Sequence, residues 1–352
     1  MKERVRAYPM VILLLPLVAA ILFFVDPPPK YSPRPAPNAL QERLYGRLED
    51  AGLEGDELAT AGALTLGYKE ELSQELRQHF QVSGAAHVLA VSGLHTGILY
   101  GVIVWLLTLG GRLRPMHENR IGRWALSLVV IAAMWGYAWL TGMTPSVVRA
   151  VVMVTIFEVG RMSYQRAFSL NTIAAAAFFI LVARPTDLWS VSFQLSFAAT
   201  AAIVSLPRPL HEGGEIGLPR PLHKGGEIVG KVGTFFGGII MVSLAAQIGT
   251  LPITIHYFGQ VSTYFLVTNL IVLPLATFLV PCGLISIALG GTVAGVLFSR
   301  ITSALAWLMN HATGWIEQLP GSSFPAHAGS GMVLLYYVLL ALFLLFLPKK
   351  FA

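Results

Sequence analysis

Charge is what this sequence has least of. Only 12% of its 352 residues are Asp, Glu, Lys or Arg, while 55% are hydrophobic and the mean hydropathy is +0.66. Soluble globular domains carry about 25% charged residues, so the chain reads as an integral membrane protein. Cysteine is almost missing too. Cys282 stands alone, inside VPCGLIS, so no intrachain disulfide can form and the thiol reads as a small buried hydrophobe. There is no GxxxxGK[ST] phosphate loop, no HExxH pair and no dense His/Asp cluster. Catalysis is therefore not expected, no cofactor or metal is implied, and energy for any transport has to come from outside the chain.

What charge there is carries information through its placement. The net charge is +6 and the pI about 9.5, which suits a polyanion, but in a membrane protein a basic excess reports orientation. Residues 1–26 pair a basic start, MKERVR, with a long apolar run, and VDPPPK is a poor cleavage site, so they read as a retained first span. Residues 27–61 follow as a Pro-rich linker, PPPKYSPRPAP, with an external amphipathic segment. In YKEELSQELRQHF, Leu72, Leu76 and Phe80 share one face, as expected of a short interfacial helix.

A membrane span needs about 20 mostly apolar residues. After the first, candidates lie near 87–109, 122–141, 145–160, 168–183, 188–205, 234–257, 262–280, 282–298 and 331–347. The fold class is thus all-α: a polytopic protein of about ten transmembrane helices, some broken or re-entrant. Pro252, Pro274 and Pro281 mark the expected helix breaks, and residues 299–318, with Trp307, His311 and Glu317, read as interfacial. Segment 27–86 holds nine acids against six bases, whereas GRLRPMHENRIGR carries Arg112, Arg114, Arg120 and Arg123 against one Glu. Alternating from a cytoplasmic N-terminus places every strongly basic loop inside, including the C-terminal Lys349 and Lys350. In the 206–231 loop, LPRPLHEGGEIG is followed at once by LPRPLHKGGEIV. Two copies are too few for a solenoid, and His211 and His223 with their neighbouring acids lack fixed ligand geometry. The repeat reads as an insertion in a tolerant cytoplasmic loop.

Polar residues at membrane depth are costly, and so they are the functional candidates. HVLAVSGLH, residues 87–95, sets two histidines around Ser92-Gly93. On one continuous helix His87 and His95 are separated by about 12 Å along the axis and about 80° around it. Only a break at Ser92-Gly93 lets them act together, and such a break frees backbone N–H groups for an anion. The structural alternative is an ordinary helix start with Gly93 at a close contact. Arg149, in TPSVVRAVV, is the one base deep in an apolar run; it either finds an anion or snorkels outward. Gln194 with Ser192 and Ser196, Gln247 with Thr250 and Thr254, and Asn269 form polar stripes that glue helices together or line a pore.

Several of these words occur together in one known family. HVLAVSGLH, PSVVRA at 145–150, RPTDLWSVSFQLSFAAT at 184–200 and QIGTLPITIHYFGQVS ahead of TNLIVLP resemble the ComEC competence family. AGALTLGYKEELS resembles its opening segment, with Tyr68 and Lys69 in place of Gly-Asp. The likeness runs in order over residues 62–348, the expected membrane domain. It implies an inner-membrane channel for single-stranded DNA in natural transformation; the placement of the basic loops puts both termini in the cytoplasm. His87, Ser92, Gly93, His95, Arg149, Gln194, Ser196, Gln247 and Asn269 would line the path, and Trp135, Tyr137, Trp139 and Phe193 are available for base stacking. Full members add an OB-like domain and a metallo-β-lactamase-like nuclease. Here about sixty residues separate the first two spans and no HxHxDH motif occurs, so a separate DNA receptor, nuclease and cytoplasmic motor are the expected partners, besides membrane lipids. Two other readings stay open: a small-solute or lipid transporter on the same fold, and a membrane-embedded hydrolase using Ser92 and the histidines.

Overall fold

Backbone surrounded by lipid has to satisfy its own hydrogen bonds, and the apolar runs of this chain have accordingly become helices. The computed structural model describes residues 9–26, 37–89, 93–108, 120–162, 170–205 and 227–346, of which 82% are helical. In chain order the helices begin with α1 (Pro9–Phe24), α2 (Ala39–Asp50), α3 (Gly55–Leu66), α4 (Gln74–Val82), α5 (Ala86–Leu89), α6 (Gly93–Leu107) and α7 (Arg120–Leu140). They continue with α8 (Pro145–Met162), α9 (Leu170–Ala183), a 3-10 turn (Pro185–Trp189), α10 (Val191–Ser205) and α11 (Glu227–Phe258). The last are α12 (Phe265–Ala288), α13 (Val293–Glu317) and α14 (Ser330–Phe346). The only sheet among the described residues is one antiparallel pair, β1 (Gln260–Ser262) with β2 (Ser323–Pro325), which ties the end of α11 to the segment before α14.

Among the described residues, four helical stretches are long and apolar enough to cross a membrane: Ile121–Leu140, Phe236–Phe258, Phe265–Ala288 and Val293–Glu317. Shorter apolar helices lie at Leu13–Leu22, His95–Leu107, Leu170–Ala183, Val191–Ser205 and Ser330–Leu340. The surface of α13 is inverted relative to a soluble helix. Ser299, Thr302, Asn310 and Thr313 are buried, while Val293, Leu297 and Trp315 are exposed at 90%, 58% and 67%. Such a helix satisfies its polar groups inward and offers hydrocarbon to the bilayer.

Several expectations are corrected. Pro252 lies inside α11, and Pro274 and Pro281 lie inside α12; neither helix is broken at them. A missing N–H weakens one rung, but neighbouring groups can satisfy the freed carbonyl. The interruption falls at Leu289–Thr292, where Gly291 has φ +82° and Thr292 caps α13 by accepting from the Gly295 N–H. The expected span 282–298 is therefore divided between two helices. Of the stretch 299–318, expected to be interfacial, residues 299–317 belong to a continuous 25-residue helix.

The segment before α5 is also more deeply built in than an external linker. All residues of α3 from Leu58 to Leu66 are buried, so position 61/62 lies inside a packed helix. Thr60 bonds Asn310, Asn310 donates to the Asp56 carbonyl, Ser299 donates to the Ala51 carbonyl, and Arg47 reaches the Ile287 carbonyl. The expected amphipathic helix is α4, whose Leu76 and Phe80 are buried. Its His79 and Gln78 contact Glu317 at the far end of α13. Tyr45 of α2 stacks on Tyr68 with ring centroids 4.4 Å apart, and burial followed by the Glu71 charge pushes its phenol above the usual range.

Candidate functional site

The costliest side chains at membrane depth are turned inward, but they do not meet at one point. Arg149, one turn into α8, is 2% exposed. Its Nη2 donates to Ser192 Oγ at the start of α10, 2.6 Å away, and Asp187 of the 3-10 turn acts on it electrostatically. Nε and Nη1 have no hydrogen-bond partner. Arg149 is thus buried against a neighbouring helix rather than extended to an interface. Close by, Gln194 donates to the Leu188 carbonyl, fixing the 3-10 turn against α10.

Asn269 forms a second cluster. Its Nδ2 donates to Ser243 Oγ at 3.2 Å, joining α12 to α11, while its Oδ1 is buried without a partner. Thr268 beside it donates to the Ser83 carbonyl. Gln247 and Ser196 are half-buried on α11 and α10. Those two helices approach closely, because a Cβ on Gly249 would lie 2.5 Å from the Ala198 carbonyl oxygen.

In the histidine motif, helix is described over Ala86–Leu89 (α5) and from Gly93 onward (α6); residues 90–92, Ser92 included, where the break was expected, lie outside the described residues. His87 is exposed and bonds the Gly84 backbone, whereas His95 is fully buried.

A third cluster was not among the sequence candidates. Glu158 on α8 is fully buried; its Oε1 accepts from Tyr100 of α6 and its Oε2 from Ser127 of α7, each at 2.5 Å. Arg161, one turn on, lies 3.4 Å from Oε1. A carboxylate and a guanidinium three residues apart inside an apolar run are a readable signal of such a group; which helices would supply the hydroxyls is not readable.

The aromatic candidates serve mainly as packing. Trp135 donates to Thr155, Tyr137 donates to the Thr65 carbonyl, and Phe193 stacks with Phe197 in a buried cluster. Trp139 is 63% exposed on the outside of α7. Among the described residues, then, the polar candidates occupy separate helix interfaces: α8–α10, α11–α12, and the start of α6.

Comparison with known proteins adds an independent line. The Competence protein family matches residues 64–351, and the chain belongs to that family. It is 26% identical over 302 residues to ComE operon protein 3 of Bacillus subtilis (strain 168), covering 85% of this chain and 35% of the relative. It is 29% identical over 223 residues to the uncharacterized protein YcaI of Escherichia coli (strain K12), covering 61% and 27%. It is 30% identical over 159 residues to competence protein ComA of Neisseria gonorrhoeae, covering 44% and 22%. The chain spans about a third or less of the length of these relatives. No solved structure matches it.

Proposed function

We propose that this chain is the membrane channel component that passes single-stranded DNA across the bacterial cytoplasmic membrane during natural transformation. The observation that carries the reading is the burial of Arg149 and His95, at 2% and 0% exposure, inside a helical bundle whose outer surface is apolar. Groups so expensive to place at membrane depth are kept for a transported or bound species, and family membership names competence as the process. Ten helices, α1 and α6 to α14, make the crossings, with both termini cytoplasmic. A separate receptor, nuclease and motor act with the chain.

Deleting the gene from a naturally competent host should abolish transformation while surface DNA binding persists. Substituting Arg149→Ala or His95→Ala should lower uptake of labelled DNA into the cytoplasm with membrane levels of the protein unchanged. Normal transformation in the deletion strain would overturn the proposal and leave a small-solute or lipid transporter as the reading to pursue.

A further inference from the structure

A cation held against the positive end of a helix is electrostatically unfavourable unless an anion joins them. That is the situation of Arg149. Ser192, to which its Nη2 donates at 2.6 Å, is the second residue of α10. The preceding turn closes with Ser190 N–H donating to the Asp187 carbonyl, and the first helical bond of α10 runs from Gln194 N–H to Ser190. The N–H groups of Val191, Ser192 and Phe193 precede that bond and have no intrahelical acceptor. Arg149, 2% exposed and with two donor nitrogens lacking a partner, therefore meets the first turn of a helix whose leading N–H groups have no intrahelical acceptor.

The surroundings limit what fills the gap. Asp187 is the one carboxylate that acts on Arg149 electrostatically, and it makes no ion pair with it within 4.0 Å among the described residues. Ser192, beside Arg149, is exposed, and Arg184, also exposed, adds a second positive charge three residues before Asp187. Guanidinium and helix N-terminus together match the several acceptor oxygens of a phosphate group, which takes charge-assisted bonds from both.

We infer that Arg149 and the N-terminus of α10 form a seat for one phosphate group, with Ser192 at its mouth and Asp187 competing for the guanidinium. This rests on the channel reading for its biological source, a phosphodiester of the passing strand. The same chemistry also suits an anionic lipid headgroup or free phosphate.

The full chain, purified in an uncharged maltoside detergent, should bind a fluorescent single-stranded oligothymidylate and release it to inorganic phosphate. Arg149→Gln should weaken binding by about 10- to 100-fold, as expected for losing a charge-assisted contact. Asp187→Asn, which leaves the buried guanidinium in place, should tighten it several-fold. An uncharged methylphosphonate strand should not bind. Equal binding by wild type and Arg149→Gln, unchanged affinity in Asp187→Asn, or capture of the methylphosphonate strand would each overturn the seat. In nanodiscs, loss of strand binding only when phosphatidylglycerol is present would support the seat and assign it to a lipid headgroup. Transformation assays separate the two ideas. If Arg149→Gln loses phosphate binding but transforms normally, the channel reading fails and the seat stands; transformation lost with phosphate binding intact gives the reverse.

Discussion

The hydroxyl of Tyr336 on α14 donates to the Ile248 carbonyl of α11 at 2.8 Å. That carbonyl lies four residues before Pro252, whose ring nitrogen has no hydrogen to offer it. Beside it Tyr337 donates to the Gly249 carbonyl at 2.6 Å. A proline inside a 32-residue helix, six residues before its end, is thus tolerated because a neighbouring helix supplies the missing donor.

Removing that donor should cost little elsewhere. Tyr336→Phe should destabilise the protein by about 1 kcal/mol, read as a lowered melting temperature in detergent. In a Pro252→Ala background the helix regains its own N–H, so the cost of Tyr336→Phe should fall to half or less. A double-mutant cycle with no coupling would show that Tyr336 does not serve the proline.

The Glu158 cluster joins α6, α7 and α8 through Tyr100, Ser127 and Arg161. Glu158→Ala strands two hydroxyl donors and a guanidinium, and should cost about 3–5 kcal/mol. Glu158→Gln keeps an acceptor and should cost less, and Ser127→Ala should cost about 1–2 kcal/mol. Protein yield and thermal unfolding rank the three. Equal effects for Ala and Gln would mean that the carboxylate's bonds are not the source of stability.

Gly249 and Gly237 make a matched pair on α11. A Cβ at Gly249 would meet Ala198 O at 2.5 Å and Ala202 Cβ at 2.6 Å, whereas nothing lies within 4 Å of one at Gly237. Gly249→Ala should therefore push α10 from α11 at a cost of about 1–3 kcal/mol. Gly237→Ala should be neutral or stabilising by up to about 1 kcal/mol, through helix propensity. Thermal unfolding of the two variants side by side is the measurement.

Gln41 does two jobs for the segment ahead of the bundle. It completes a capping box with Asn38 at the start of α2, and its Nε2 donates to the Leu66 carbonyl at the end of α3. Gln41→Ala should cost about 1–3 kcal/mol and raise protease sensitivity around residues 67–73. Gly142, with φ +69°, leaves no room for a Cβ because the Gln41 amide would lie 2.5 Å from it. Gly142→Ala should therefore displace Gln41, and the two substitutions together should cost less than their sum.

Much of the helical pattern was legible, because each apolar run is a local property and lipid leaves the backbone few alternatives. The prolines misled because a proline reports only what its own helix lacks. The donor that serves Pro252 comes from Tyr336, 84 residues further along the chain. Segment 299–318 misled for a related reason: the partners of its polar side chains lie far off in sequence, Thr60 for Asn310 and Gln78 of α4 for Glu317.

The sequence by itself determined that this is a helical membrane protein of the competence family, because composition, run length and ordered motifs require no knowledge of packing. Only the tertiary structure decided where the polar residues go. It buried Arg149 against the start of α10, joined Asn269 to α11, and closed Glu158 among three helices. It also built α3 into the bundle. Helix faces are set by local periodicity, but their partners are set by side chains meeting across long sequence separations, and no window of sequence contains both halves of such a contact.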